Sequence, residues 1–152
     1  MKVVVERKTG MDFQFESFSF ESFSHAKTHL RYHLVFTTKY RRSALAGIED
    51  RVYRAFREVE DVSEFTILEM GCDLGNHIHL LVTLRPALSI EQVVRRLKQM
   101  STRKLWEMEP DHLSRFYWSP KRGKLWSTGY FCATVGHTDD DTITGYILRQ
   151  AK

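Results

Sequence analysis

Two β-type runs, residues 64–72 and 77–84, are separated only by Asp73-Leu74-Gly75-Asn76, a short turn. That pair of strands, joined so tightly in mid-sequence, dictates how the flanking segments can be arranged. Upstream, Ile48, Val52, Ala55, Phe56 and Val59 recur at helical spacing and predict a helix over 44–60. Downstream, Ser89 and Gln92 form a capping-box pair ahead of Ile90, Val93, Val94, Leu97, Met100 and Leu105, the apolar stripe of a second helix. Residues 28–38 and 125–135 are rich in β-branched and aromatic side chains and predict two further strands. Residues 108–124, with Pro110, Pro120 and Gly123, read as a polar loop. A last helix is predicted from about 139 to 150, capped by Thr138 or Asp139, with Asp139, Asp140 and Asp141 at the positive end of its dipole. The order β-α-β-β-α-β-α contains the ferredoxin-like βαββαβ pattern. The expected fold is therefore α+β, a four-stranded antiparallel sheet with two helices on one face and an added C-terminal helix. The second and fourth strands should lie at opposite edges. The other sheet face is expected to be free for nucleic acid or a second subunit.

Residues 1–24 stand apart from residues 25–152, which hold the predicted domain. Phe15-Glu16-Ser17-Phe18-Ser19 repeats as Phe20-Glu21-Ser22-Phe23-Ser24, and half of the ten phenylalanines fall between Phe13 and Phe23. So short a repeat is no solenoid. A tail, an added edge strand or a segment packed on a partner subunit all suit it. Cys72 and Cys132 form no CxxC pair and would sit too far apart to bridge, so reduced thiols are expected. No apolar run approaches the roughly 20 residues that span a bilayer, and no secretory leader pattern is present. A cytoplasmic protein without a membrane partner is the expectation.

The chemistry concentrates in Asn76-His77-Ile78-His79-Leu80-Leu81-Val82. Side chains alternate on a strand, so His77 and His79 share a side, with Cα atoms about 6–7 Å apart. Two imidazoles at that spacing can close on one cation. Such pairs also occur on sheets with no metal, and the pair alone favours that bland reading. Three features shift the balance. The surroundings are strongly apolar, the turn at Gly75 and Asn76 leaves the strand end accessible, and Gln150 offers a third ligand. Two imidazoles and an amide oxygen suit Mn²⁺ or Mg²⁺ acting as a Lewis acid on a phosphoryl group, and the same donors accept zinc. Tyr146 and Gln150 stand four residues apart, one turn of the last helix. Packing of an amphipathic tail helix explains Ile143, Tyr146, Ile147 and Gln150 without chemistry. Tyrosine is nonetheless an established covalent nucleophile.

A net charge of +4 and a pI near 9.1 give a modest basic bias. The charges cluster: Lys39, Arg41 and Arg42 around Tyr40; Arg95, Arg96, Lys98, Arg103 and Lys104 on the second helix; Lys121, Arg122 and Lys124 around Gly123. One such cluster is ordinary solvated surface, but three in a small domain point to a polyanion. Tyr40, Tyr117 and Trp118 can stack on unpaired bases or pack in a core.

Taken in order, these motifs resemble the single-tyrosine HUH transposases of small insertion sequences and their REP-associated relatives. The resemblance runs from about His29 to Gln150. It rests on Tyr32-His33-Leu34-Val35-Phe36-Thr37-Thr38-Lys39-Tyr40-Arg41, His77-Ile78-His79-Leu80-Leu81, Leu125-Trp126-Ser127-Thr128-Gly129-Tyr130-Phe131 and Tyr146-Ile147-Leu148-Arg149-Gln150. It implies the HUH endonuclease fold, with the nucleophile on the C-terminal helix. Tyr146 would attack single-stranded DNA to give a 5′-phosphotyrosine link, with a divalent metal, Mg²⁺ or Mn²⁺, held by His77, His79 and Gln150. It also implies a homodimer that recognises DNA hairpins. Lys39, Arg41, Arg42, Arg95, Arg96, Lys98 and Arg103 would contact phosphates. The alternatives are an inactive or domesticated ferredoxin-like nucleic-acid-binding module, and a replication-initiator nickase, which usually belongs to a longer chain.

Overall fold

A computed structural model describes residues 5–7, 21–23 and 26–136. Its strands are β1 (Val5–Arg7), β2 (Glu21–Phe23), β3 (Ala26–Thr28), β4 (Arg31–Thr37), β5 (Thr66–Asp73), β6 (His77–Thr83) and β7 (Phe131–Val135). Its helices are α1 (Glu49–Asp61), α2 (Ile90–Met108) and the short α3 (Pro110–Ser114). One antiparallel sheet runs in the order β1-β5-β6-β4-β7. Four of its strands, β5-β6-β4-β7, have the ferredoxin-like order, with the second and fourth strands of that core on opposite sides. The predicted α+β architecture is the observed one. The added C-terminal helix lies outside the described residues.

β1 lengthens this core by pairing with β5, and β2 pairs with β3 in a separate hairpin. An added edge strand is thus the form that part of the N-terminal segment takes. Cys72 and Cys132 are both free thiols, on β5 and β7. No helix among the described residues is long and apolar enough to cross a membrane.

Alternation sorts the strand residues. Leu34, Phe36, Met70, Ile78, Leu80 and Val82 form one core with Val52 and Phe56 of α1 and Val94 and Leu97 of α2. Both helices cover this face. The Ser89–Gln92 capping box is present and starts α2 as predicted. On the opposite face Leu68, Leu81 and Val135 form a small second cluster. That face is not free, contrary to expectation: His33, Glu69, Asp73, His79, Leu81 and Thr83 on it are all buried. Part of the cover is the β2–β3 hairpin, whose Glu21 carboxylate accepts a 3.0 Å hydrogen bond from the Thr83 hydroxyl.

Two boundaries move for physical reasons. The first helix starts at Glu49 rather than 44, because Gly47 sits at φ +84° and breaks the helical run. The last strand covers only 131–135. Ser127 still donates from its N–H to the Thr37 carbonyl of β4 at 2.8 Å, while the carbonyls of Ser127, Thr128 and Gly129 turn to the Lys98 ammonium at 2.7–3.2 Å instead of continuing the ladder. Trp126 forms an isolated bridge to Thr38.

Candidate active site

The turn before β6 fixes where the two histidines stand. Leu74 and Gly75 both have positive φ, and the Asn76 N–H closes the turn on the Asp73 carbonyl at 3.1 Å. A Cβ on Gly75 would meet the Ala46 Cβ at 3.0 Å, and the Leu45 N–H donates to the Gly75 carbonyl. The positive φ and the close approach both call for glycine, and the Leu45 hydrogen bond locks the turn onto the 43–46 loop. β6 then runs between β4 and β5, with His77 opposite Thr37 and Asp73, and His79 opposite Val35 and Gly71. His77, His79 and Asp73 therefore share the face away from the helices, as alternation predicts.

A hydrogen bond sets the His77 tautomer. The Asn76 amide donates from Nδ2 to the Arg41 carbonyl, so its Oδ1 faces His77 and accepts from His77 Nδ1–H. The Nε2 lone pair of His77 is left to act as a ligand. His79 Nδ1 lies 3.1 Å from His33 Nε2, the two rings stacked with centroids 5.3 Å apart. His79 Nε2 stands 3.8 Å from Asp73 Oδ2, while the buried Asp73 Oδ1 has no hydrogen-bond partner among the described residues. Burial lowers the pKa of all three histidines, and His79, near the other two rings, is pushed down to about 4. Burial also raises Asp73, opposed by His77 and the Leu74 N–H. Neutral imidazoles are the form a metal requires.

The donor set, two imidazole nitrogens beside an under-satisfied carboxylate, suits a divalent cation. Among the described residues, however, no three His, Cys, Asp or Glu side chains converge as a complete cage. Gln150 and Tyr146 lie outside the described residues. In sequence His33 stands only as one residue of the opening strand. Strand register was the signal that could have found it: His33 faces Leu81, one pleat along from His79. Asp73, read only as a turn residue, was reachable the same way through its pairing with His77.

The basic residues separate into groups. Lys39, Arg41 and Arg42 follow β4 and surround an exposed Tyr40. On α2, Arg95 and Arg103 are exposed. Arg96, also exposed, donates to the Val62 carbonyl at 2.6 Å and the Ser63 hydroxyl at 2.7 Å, closing the end of α1. Lys98 holds the 127–129 carbonyls, so α2 presents no single basic stripe. Arg103 instead lines a groove of about 530 Å³ with Trp106 and Arg122. Of the three aromatics, Tyr117 is fully buried, its hydroxyl donating to the Lys39 carbonyl at 2.8 Å. It is a core residue and cannot stack on a base. Tyr40 and Trp118 remain exposed, at 52% and 61%.

Residues 26–150 match the family model described as Transposase IS200 like. The transposase for insertion sequence element IS200 of Salmonella typhimurium is 32% identical over 131 residues, covering 86% of this chain and 82% of that protein. A crystal structure from Deinococcus radiodurans, designated a transposase, superposes with a TM-score of 0.65 at 26% identity, covering 86% of this chain and 98% of its own. A REP-associated tyrosine transposase bound to a REP hairpin superposes with a TM-score of 0.50 at 14% identity, covering 82% of this chain and 68% of its own. At that identity the likeness is one of fold.

Proposed function

The chain belongs to the Transposase IS200 like family, and from that premise we propose that this transposase cleaves and rejoins single DNA strands through a 5′-phosphotyrosine intermediate. The observation that carries the reading is the pair His77 and His79 on one face of a strand inside the matched region, the Nδ1 of each engaged by a neighbouring side chain.

In this reading His77 and His79 hold a divalent cation, Mg²⁺ or Mn²⁺, with Gln150 as third ligand and Asp73 beside it. Bound there, the cation supplies Lewis-acid polarisation of the scissile phosphate. Asn76 and His33 fix the ring orientations. The Tyr146 phenol oxygen attacks phosphorus, the bond to the 3′ oxygen breaks, and the leaving strand takes a proton to become a 3′-hydroxyl. The tyrosyl phosphodiester keeps the energy of the broken bond, so a later 3′-hydroxyl can attack it and rejoin DNA without a nucleotide cofactor. Lys39, Arg41, Arg42, Arg95 and Arg103 bind phosphates. The REP-associated relative is a hairpin complex, which supports a hairpin as this chain's DNA partner. The working unit is a homodimer.

The test is covalent capture. The full chain is incubated with single-stranded DNA from the ends of its own locus, with Mn²⁺ or Mg²⁺, and then denatured. A protein–DNA adduct that survives denaturant supports the enzyme. Tight binding with no adduct under any divalent metal would instead establish a binding module without chemistry.

A further inference from the structure

The segment after β4 builds a feature that phosphate binding does not account for. Tyr40 is held at φ +61° and Arg41 at φ +52°, a backbone region that bulky side chains rarely occupy. That left-handed turn puts a half-exposed ring on the surface rather than in the core. Cations then hold that ring in place. The Lys121 ammonium lies 4.1 Å from its centroid and the Arg42 guanidinium 5.0 Å. Arg42 also lies 4.9 Å from the exposed Trp118 ring and 5.5 Å from the buried Tyr117 ring, and it donates to the Phe116 carbonyl. Two exposed rings thus share one anchored guanidinium.

The position of this array matters as much as its composition. The Thr38 N–H donates to the Asn76 carbonyl at 2.9 Å, and the Asn76 amide returns to the Arg41 carbonyl at 3.3 Å. Asn76 is also the residue that orients His77. The array is therefore built on the residue that sets the candidate metal site.

We propose that Tyr40 and Trp118, held around Arg42, form a stacking subsite for an unpaired nucleotide flanking the scissile phosphate, with Lys39 and Lys121 on the adjoining backbone. The inference rests on the single-strand reading above. Fixed exposed rings cost little entropy to occupy, and every base has a π-face to lay on them. A paired base keeps its faces inside the duplex, so the subsite selects unpaired DNA.

The experiment titrates the full chain with a fluorescent ten-nucleotide oligothymidylate and with a blunt duplex, each over a range of salt. Trp118→Ala removes an exposed ring. Tyr40→Asn removes the other and suits the left-handed backbone, to which asparagine is well adapted. Each variant should bind the oligothymidylate about tenfold more weakly, as expected for one lost base–aromatic stack. Its salt slope should match wild type, because no phosphate contact is lost. Duplex binding should not change. Arg42→Met, by contrast, should lower both affinity and slope. Wild-type affinity for the single strand in both aromatic variants would overturn the subsite while leaving the single-strand reading intact. Absence of single-strand binding by the wild type would overturn that reading and the subsite with it.

Discussion

His33 on β4 and His79 on β6 meet ring to ring, His33 Nε2 lying 3.1 Å from His79 Nδ1. If His79 Nε2 gives its lone pair to a cation, Nδ1 must carry the proton and His33 must accept it. His33 is then a positioning residue. Losing such a partner typically lowers metal affinity about 10–100-fold. His33→Phe keeps a stacking ring but no acceptor and should show that loss in a calorimetric Mn²⁺ titration. His33→Gln retains an acceptor and should recover part of it. Equal affinity in wild type and His33→Phe would show that the pair only packs.

The proposed ligands make a sharper case. His77→Ala and His79→Ala should each abolish metal-dependent cleavage, and Gln150→Ala should weaken it. The fold should persist, because the core facing α1 and α2 is built by Ile78, Leu80 and Val82 of the same strand. Circular dichroism checks the fold and Mn²⁺ titration checks the site. Undiminished Mn²⁺ binding in the double histidine variant would put the metal elsewhere.

Tyr146→Phe removes one oxygen. Adduct formation should vanish while hairpin affinity stays near wild type, since in the proposed reaction the phenol acts in bond exchange. Tyr40 supplies a demanding control. Its exposed phenol is pulled below the ordinary range by the Lys121 hydrogen bond, with further help from the charges of Lys121, Lys39 and Arg42. Peptide mapping of any adduct that survives in Tyr146→Phe would show whether Tyr40 is the true nucleophile.

Lys98 and Arg103 share a helix and a charge but not an environment. Lys98 satisfies three carbonyls, whereas Arg103 is exposed. Lys98→Met should therefore destabilise the fold, seen as a lower urea midpoint, by about 1–3 kcal/mol in all for the lost charge-assisted hydrogen bonds, since the carbonyls of the exposed Thr128 and Gly129 regain water. Arg103→Met should leave the midpoint unchanged and reduce the salt slope of DNA binding by about one. A stable Lys98→Met with a reduced slope would return Lys98 to the phosphate-binding set.

That contrast shows what the sequence can and cannot convey. Periodicity located β4, β5, β6, α1 and α2, because each buries a regular apolar face. Alternation placed His77 and His79 on one side for the same reason. Partners across strands escaped, since His33 and Asp73 reach the histidines only through register. Lys98 escaped too. A lysine that holds carbonyls 29 to 31 residues away looks in sequence like any other charge on a helix. Tyr117 and Trp118 are adjacent aromatics in a polar stretch, yet one is buried and the other exposed. Only the packing of α3 and the loop after it separates them.

The last prediction concerns which subunit supplies the tyrosine. β7 ends at Val135, and only Gly136-His137-Thr138 precedes the predicted nucleophile helix. So short a link limits how far that helix can cross its own sheet, and Gly136 gives it freedom to swing outward. The linker permits a site completed within one subunit or across two, and we predict a homodimer in which Tyr146 acts on the partner's metal site. The test mixes a Tyr146→Phe subunit with a His77→Ala/His79→Ala subunit, each inactive alone. In a trans dimer, one composite site receives both an intact histidine pair and an intact tyrosine, so adduct formation should return. In a cis arrangement neither site is complete, and the mixture stays inactive. Once subunit exchange has been verified by mass spectrometry of tagged chains, no recovery would rule out the trans arrangement and leave the role of Tyr146 untouched.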